Sequence, residues 1–327
     1  MKLLFASILL LPSMLTVSLL AAPAPFPATA NARAEAASGF AIQGDAPDWL
    51  FLRDDVLHAA HGEFWKADPL LPATKAAIPI ITKFRETLQA SGVTLILAPV
   101  PSKAATYPDK FISGMAPDAV PSAAPFLEEL KATGTEIIDL ETLFRAGRDQ
   151  TTVFCASDSH WSPAGIRLAA QAIAAHPSFK PLSKPGIYET GQPEKLAITG
   201  DLTTSPGLKT APKADITLTK IGTRKGSVLT PVPAASTSPV ILLGDSHTMV
   251  FTDGESLGMH TTGAGLRDHL QAQLGFPLIQ LSSQNSGGTG ARRILQQRLL
   301  ANPAYLKDVK IIIWVFSLRE FTLGKWR

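Results

Sequence analysis

Two short stretches of the sequence, 158-DSHW-161 and 244-GDSH-247, contain the residue types that nucleophilic catalysis uses. A serine hydroxyl is a weak nucleophile at neutral pH, so it needs an imidazole to accept its proton and a carboxylate to orient that imidazole. Ser246 ends an apolar run and would supply the hydroxyl. Asp158 and His160 are two residues apart, so one short loop can carry both the acid and the base.

Each stretch also has a simpler structural explanation. Asp245 or Ser246 would cap a helix that follows the apolar run, and Asp158 or Ser159 would cap the helix predicted to begin near Pro163. Four other histidines are interpreted as core or surface positions: His58, His61, His247 and His260. The single cysteine, Cys155, is five residues from His160 and would be a rival thiol nucleophile, but its place in a strand-like run favours a small buried residue.

The elements that would position these residues alternate between helix and strand. Apolar residues at helical spacing over 73–90 precede the buried strand pattern 93-VTLILAPV-100, and the alternation continues to 309-VKIIIWVFS-317. This order predicts an α/β domain with a mostly parallel central sheet. Reactive residues of such sheets gather at the carboxyl ends of the strands, where Ser246 would lie. Residues 177–239 break the pattern and are predicted to be an insertion with some β structure.

Composition limits the class of protein. The chain has 45% hydrophobic and 17% charged residues, which is typical of a globular domain, and its formal net charge of +3 is scattered, so no nucleic-acid partner is expected. Residues 1–30 have the pattern of a secretory signal peptide or an N-terminal membrane anchor, 31–47 are predicted to be a leader, and 48–327 to be the folded domain. No zinc-ligand spacing is present, so no metal is predicted.

Several motifs together resemble one known family, the AlgX/AlgJ type of alginate O-acetyltransferases, a branch of the SGNH hydrolase-like superfamily. The similarity rests on 158-DSHW-161 and 242-LLGDSHTMVF-251, and on further stretches in the same order along the chain: 49-WLFLRDDVLHAAHGEFW-65, 99-PVPSKAATYP-108, 200-GDL-202, 287-GGTGARR-293 and 312-IIWVFSLREF-321. The resemblance implies a three-layer α/β/α fold with a permuted motif order. It also implies that Ser246 is the nucleophile, His160 the general base and Asp158 the orienting acid.

The chemistry of the reaction indicates further candidate residues around the triad. The oxyanion of the acyl-transfer reaction needs preorganised donors, for which the Ser246 amide, the Gly287 and Gly288 amides and the Asn285 side chain are candidates. Three more residues are candidates for substrate contact: Lys103 and Arg319, which would bind an acidic sugar or a structural carboxylate, and Trp161, which would be a sugar platform or a lid on the imidazole. The chain ends at Arg327 without the C-terminal carbohydrate-binding module of AlgX-like members, so the AlgJ-like single-domain arrangement is expected.

The function that the resemblance implies is periplasmic O-acetylation of an alginate-like exopolysaccharide through an acetyl-serine intermediate. No cofactor is expected. The expected partners are a polysaccharide acceptor, a membrane O-acyltransferase that supplies acetyl groups, and a polysaccharide secretion complex. Two alternatives remain open: an acetyl esterase acting on the same polymer, and a catalytically silent polysaccharide-binding scaffold.

Overall fold

A computed structural model describes residues 25–184, 186–208 and 213–327. Most of the predicted signal segment, residues 1–24, lies outside the described residues. Within the described ranges, no helix has both the length and the apolar character needed to cross a bilayer.

The helices of the described residues include long ones that flank a sheet and short ones that begin loops. In chain order they are α1 (Phe26–Ala36), α2 (Arg53–Ala60), α3 (Pro72–Ala90), α4 (Lys103–Thr106), α5 (Pro108–Phe111), α6 (Ala124–Ala132), α7 (Leu140–Gly147), α8 (Pro163–Ala174), α9 (Leu266–Leu274), α10 (Gly287–Ala301) and α11 (Glu320–Leu323).

The strands of the same ranges are β1 (Ala41–Gln43), β2 (Leu50–Leu52), β3 (Thr94–Val100), β4 (Glu136–Ile137), β5 (Glu189–Thr190), β6 (Glu194–Ile198), β7 (Ala214–Leu218), β8 (Ile221–Lys225), β9 (Val228–Thr230), β10 (Val240–Gly244), β11 (Asp253–Gly254), β12 (Met259–Thr262), β13 (Ile279–Ser282) and β14 (Ile311–Ser317). Five of them form the central sheet in the order β13-β10-β14-β3-β4. Every neighbouring pair in this sheet is parallel, which confirms the sequence prediction.

Helices cover both faces of the central sheet. Successive side chains of a strand point to opposite faces, so each strand contributes residues to both layers of packing. Leu242 and Ile313 pack with residues of α7, α8 and α9 on one face. Leu243 and Trp314 pack with residues of α3, α6 and α10 on the other. All four side chains are fully buried. The predicted three-layer α/β/α arrangement is therefore confirmed, and its two cores fix the strand ends that carry the site.

Residues 25–47, which include the segment predicted as a leader at 31–47, pack against the rest of the domain. Phe26, Ala30 and Ile42 are buried in a third apolar cluster with residues of α2, α4 and α5. Arg33 forms an ion pair with Asp45 at 2.9 Å. The Ala/Gly-rich composition suggested a solvated segment, but small residues also allow a helix to approach its neighbours closely.

The region 177–239 contains β structure, as predicted. Its strands form an antiparallel sheet in the order β5-β8-β9 and an antiparallel pair, β6-β7. Ile198 and Leu218, at the ends of the β6-β7 pair, are buried in the core that α8 and α9 cover. The insertion is thus anchored to the domain beside the loop that follows α7.

Candidate active site

Ser246 lies on a tight turn at the carboxyl end of β10. The turn is a single 3-10 turn, Ser246–Thr248, and the carboxylate of Asp245 caps it by accepting the His247 amide proton at 2.9 Å. A Cβ atom on Gly244 would lie 2.4 Å from the Thr248 side chain and 2.8 Å from the Val315 carbonyl oxygen. Glycine is needed there because of this close approach, which brings the turn directly onto the strand end.

Asp158 and His160 project from a loop that joins α7 to α8. The loop is closed by an antiparallel bridge between Phe154 and Trp161. It ends where the Ser162 hydroxyl caps α8. Within the loop, Oδ1 of Asp158 accepts hydrogen bonds from the His160 backbone amide at 2.9 Å and from His160 Nδ1 at 2.7 Å. The acid therefore fixes both the position of the base and its ring orientation.

The structure brings the three residues of the predicted triad together. Nε2 of His160 lies 2.8 Å from Oγ of Ser246, although the two residues are 86 positions apart in the chain. With Nδ1 bonded to Asp158, neutral His160 presents its Nε2 lone pair to the serine hydroxyl. The hydroxyl donates, and the arrangement can transfer the serine proton as the oxygen attacks an acyl group.

The electrostatics of the triad favour an ion pair between base and acid. Burial disfavours a charge on His160, but the nearby Asp158, with smaller contributions from Asp201 and Asp245, raises the pKa of its imidazole to about 9. Burial also opposes ionisation of Asp158, yet the bonds from His160 and His260 hold its pKa well below the usual range. Asp158 stays ionised and stabilises the imidazolium that forms when His160 accepts a proton.

Two residues that were not predicted as site residues also bind the catalytic loop, the loop between α7 and α8 that carries Asp158 and His160. The backbone amide of Asp201 donates to Asp158 Oδ2 at 3.0 Å, and its carboxylate accepts from the Ser159 amide at 2.7 Å and hydroxyl at 2.6 Å. Asp201 belongs to the 200-GDL-202 motif noted above, which was the only sequence signal. His260 on β12 lies with Nε2 3.0 Å from the same Asp158 oxygen.

The polar atoms of this cluster are engaged with one another. Asp158, His160 and Asp201 have ligand-type atoms within 4.8 Å of one another, a spacing that a metal site would also have. Here the carboxylate oxygens accept from backbone amides, from the Ser159 hydroxyl and from imidazoles. Hydrogen bonding alone therefore accounts for the cluster.

Trp161 braces the site from below and does not face the cleft. Its ring is fully buried, and its Nε1 donates to the His247 carbonyl oxygen at 3.1 Å. This burial contradicts the expected sugar platform. The ring packs edge to face on His247 with centroids 5.5 Å apart, so it is not a lid on His160 either. Trp161 belongs to a buried apolar cluster with Phe144 and Phe154, which the residue type alone did not indicate.

Lys103 is also buried, which contradicts the expected contact with an acidic sugar. The three N–H groups of its ammonium share four backbone carbonyl oxygens, which lie 2.6–3.0 Å from Nζ: those of Leu50, Cys155, Ala156 and Asp158. It also lies 5.2 Å from the ring centroids of Trp49 and Phe51. Burial lowers the pKa of Lys103 to about 8, against the opposing effect of neighbouring acids. The ammonium holds the backbone of the catalytic loop.

A cleft of about 310 Å³ opens above Ser246 and His160. The cleft is lined by Asn285, Gly287 and Arg319, which the sequence predicts as candidate oxyanion or substrate contacts. Gly288 is different, because it is buried and its amide is directed to Glu320 Oε2 at 3.4 Å. The Gly288 amide is therefore excluded as an oxyanion donor. Arg319 is anchored by a bond from Nη1 to the Ser317 hydroxyl at 3.0 Å.

Cys155 and His58 are buried, as predicted, and neither side chain lines the cleft. Burial raises the pKa of the Cys155 thiol well above its usual value, which makes it a poor nucleophile at neutral pH. His58 Nδ1 lies 2.9 Å from the Thr322 hydroxyl, and burial lowers its pKa to about 3. Both residues are parts of the core.

A parallel five-stranded sheet between two helical layers, with a serine at a strand end facing an Asp–His pair, defines an SGNH hydrolase-like domain. Within that class, residues 42–318 match the family model described as the SGNH hydrolase-like domain of the acetyltransferase AlgX. The chain belongs to this family.

Two similar proteins are described as probable alginate O-acetylases. A probable alginate O-acetylase AlgJ from Pseudomonas syringae pv. tomato is 31% identical over 160 residues, which is 48% of this chain and 39% of that protein. The AlgJ protein of Pseudomonas aeruginosa, with the same description, is 30% identical over 129 residues, 39% of this chain and 30% of that protein. The matched region thus spans well under half the length of each relative.

Solved structures have the same fold. The O-acetyltransferase domain of Pseudomonas putida AlgJ superposes with a TM-score of 0.62 at 20% identity, covering 87% of this chain and 93% of that one. Pseudomonas aeruginosa AlgX gives a TM-score of 0.60 at 15% identity, covering 88% and 64%. At these identities the likeness supports the fold.

Proposed function

We propose that the protein is an extracytoplasmic O-acetyltransferase that acetylates hydroxyls of an alginate-like exopolysaccharide through an acetyl-serine intermediate. The observation that carries the proposal is the continuous chain of hydrogen bonds from Ser246 Oγ through His160 to Asp158, at 2.8 and 2.7 Å, at the floor of an open cleft. Membership of the AlgX family and the relatives named as alginate O-acetylases support the same reaction.

The first half-reaction acetylates the enzyme. Oγ of Ser246 attacks the carbonyl carbon of an acetyl donor while His160 Nε2 takes the hydroxyl proton. The tetrahedral oxyanion then collapses, the bond to the donor breaks, and the leaving group receives the proton from His160. Asp158 stays ionised throughout and stabilises the imidazolium.

The oxyanion needs donors aimed at the place where negative charge develops. The Ser246 amide opens the turn after β10, and the Asn285 side chain is exposed on the cleft wall. We assign these two as donors, with the Gly287 amide as a third candidate on the same wall. Removal of one donor of this kind typically lowers kcat by about 10²- to 10³-fold.

The second half-reaction transfers the acetyl group to the polymer. A sugar hydroxyl attacks the acetyl carbon, His160 takes the hydroxyl proton, and collapse of the intermediate returns that proton to Ser246 Oγ as the acetyl-serine bond breaks. Arg319 contributes a cation to the cleft wall and would pair with the carboxylate of an acidic sugar. If water replaces the sugar hydroxyl, the same steps make the protein an acetyl esterase.

The proposed location rests on the N-terminal sequence, and the proposed partners rest on the proposed reaction. The pattern of residues 1–30 supports delivery to the periplasm by a signal peptide or an anchor. We infer a membrane O-acyltransferase as the source of acetyl groups and a polysaccharide secretion complex as the setting. The two half-reactions above require no cofactor.

A pulse experiment tests the proposal. The full chain is mixed briefly with p-nitrophenyl acetate, then analysed by intact-protein mass spectrometry and peptide mapping, with and without mannuronate oligosaccharides. One acetyl group on Ser246 that oligosaccharide discharges as acetylated sugar is the expected result. Ser246→Ala must lose the adduct, and Cys155→Ser, the matched control, must keep it.

Other outcomes contradict parts of the proposal. Rapid release of acetate whatever acceptor is present would make the protein an esterase. Absence of both adduct and turnover with acetyl esters and thioesters would favour a silent scaffold.

A further inference from the structure

The carboxylate of Asp158 has a fourth hydrogen-bond partner, which the Ser246–His160–Asp158 chain does not include. Oδ1 accepts from the His160 amide and from His160 Nδ1. Oδ2 accepts from the Asp201 amide and lies 3.0 Å from His260 Nε2. His260 is on β12, 102 residues from Asp158, so the contact depends on the tertiary fold.

The backbone of His260 is held in an unfavourable conformation that delivers this contact. Its φ is +63°, in the left-handed region that residues other than glycine adopt uncommonly, with asparagine, aspartate and histidine the most frequent among them. The imidazole packs on the Phe251 ring with centroids 5.2 Å apart, and only 10% of the side chain is exposed. Backbone strain of this kind persists where the surrounding structure over-determines the residue, and it is concentrated at functional sites.

We propose that His260 is a positioning residue, which donates from Nε2 to Asp158 Oδ2 and so holds the carboxylate in the plane that aims Oδ1 at His160 Nδ1. The inference rests on the proposed function, because it gives Asp158 the role of the orienting acid. His260 is not among the residues that line the cleft over Ser246, and its imidazole contacts the Asp158 carboxylate, so we assign it an action through Asp158.

The role makes a directional prediction for the pH profile. When the Asp158 carboxylate loses the hydrogen bond from His260, its negative charge interacts more strongly with the imidazole of His160. This interaction stabilises the protonated imidazole, so the proton on His160 becomes harder to remove. The charged and titratable groups that face His160 are Asp158 on its own loop, Asp201 from the turn after β6, and Asp245 with His247 after β10. With these unchanged, loss of the His260 donor moves the rise of kcat/KM to higher pH.

Two substitutions separate the donor from the packing. His260→Asn suits the left-handed backbone, but its amide ends at the position of Nδ1, too short to reach Asp158. His260→Gln places an amide N–H near the position of Nε2 and restores the donor. With p-nitrophenyl acetate and the full chain, we expect His260→Asn to lower kcat about 10- to 100-fold with KM little changed, and His260→Gln to recover most of the loss.

The controls make each outcome decisive. His176→Asn changes a histidine at the end of α8, away from the cleft, and is expected to match the wild type. Wild-type kcat and an unmoved pH profile in His260→Asn would overturn the inference. Equal losses in the Asn and Gln variants, with a lower Tm in both, would also overturn it, because they would indicate a packing role. If Ser246→Ala retains activity, the proposed function fails independently of His260.

Discussion

The same tripeptide, Asp-Ser-His, occurs twice in the site with nearly the same local geometry and different roles. In 158–160 and in 245–247, Oδ1 of the aspartate accepts from the histidine amide at 2.9 Å and from Nδ1 at 2.7 Å and 3.0 Å respectively. The difference lies in the serines. The Ser159 hydroxyl donates to Asp201 Oδ2 at 2.6 Å, whereas the Ser246 hydroxyl faces His160 Nε2 at 2.8 Å.

The two histidines differ in the charges that surround them. Both are buried, which disfavours the charged form, but the acids around His160 raise its pKa while the pKa of His247 is lowered because burial outweighs its single carboxylate partner. The rings contact each other edge to face at 5.0 Å, and a charge on His160 further discourages one on His247. A motif with acid, hydroxyl and imidazole therefore acquires its role from its tertiary partners.

The largest expected effect separates the two serines. Ser246→Ala removes the proposed nucleophile and is expected to lower kcat by about 10⁴-fold or more. Ser159→Ala, the matched control, removes a hydrogen bond to Asp201 and is expected to lower it about 10-fold. Steady-state hydrolysis of p-nitrophenyl acetate measures both. Similar losses in the two variants would mean that the assignment of roles to the two tripeptides is wrong.

The two histidines provide the next test. His160→Gln removes the proposed general base and is expected to lower kcat about 10³-fold, since general-base catalysis contributes about 10²- to 10⁴-fold. His247→Gln keeps a polar group beside Asp245 and is expected to cost about 10-fold or less, through disturbed packing on His160. The same ester assay with single-turnover kinetics separates acylation from deacylation. A loss in His247→Gln as large as in His160→Gln would show that both imidazoles move the proton.

A stability difference distinguishes the loops that carry the tripeptides. Lys103 bonds the carbonyl oxygens of Cys155, Ala156 and Asp158, while the second tripeptide is held by strand β14, whose Ser317 amide donates to Asp245 Oδ2 at 3.2 Å. Lys103→Met leaves buried carbonyls without a donor and is expected to lower the free energy of unfolding by about 3 kcal/mol. Urea denaturation measures it.

The control for this prediction is Lys131→Met, at an exposed lysine, which is expected to change the free energy of unfolding by no more than about 0.5 kcal/mol. A Lys103→Met protein as stable as the wild type would mean that the ammonium adds nothing to the loop. Its ester hydrolysis would then also be expected to stay at the wild-type level.

The smallest expected effect is a shift in the pH profile. His160 acts as a base only when neutral, and its pKa is raised to about 9, so kcat/KM is expected to rise with pH and to level off above that value. Asp201→Asn removes a carboxylate that raises this pKa, so the midpoint is expected to move to lower pH. The exposed Asp149→Asn is the control and leaves the midpoint in place. An unmoved midpoint in Asp201→Asn would remove Asp201 from the electrostatics of the base.

Much of the site was predictable because its signals are local. Ser246 follows an apolar strand pattern, and Asp158 and His160 are close in the chain, so spacing and family resemblance together pointed to the same three residues. Residues whose contacts are tertiary were missed or given the wrong role. Lys103 is a cation near a motif, which suggested an acidic ligand, but only the fold reveals that backbone carbonyls surround it.

His260 and Trp161 show the same limit of prediction from sequence. The sequence around His260 contains no acid that would signal its bond to Asp158, 102 positions earlier. Trp161 has the same residue type whether it stacks on a sugar or packs in a core, and its buried Nε1 bond to His247 decides the matter. The sheet order was equally inaccessible, since β14 lies between β10 and β3 although it is the last strand of the chain.

The insertion bears on how far the protein can be cut down. Residues 177–239 resemble a removable module, since β5, β8 and β9 form a sheet of their own. However, Gly200 lies so close to the catalytic loop that a Cβ would be 2.0 Å from the Ser157 carbonyl oxygen, and the next residue bonds Asp158. A minimised enzyme that keeps the parallel sheet and discards the insertion would retain its nucleophile and base but lose the fit around its acid. The insertion therefore forms a separate sheet, but its contacts with the Asp158 loop make it part of the site.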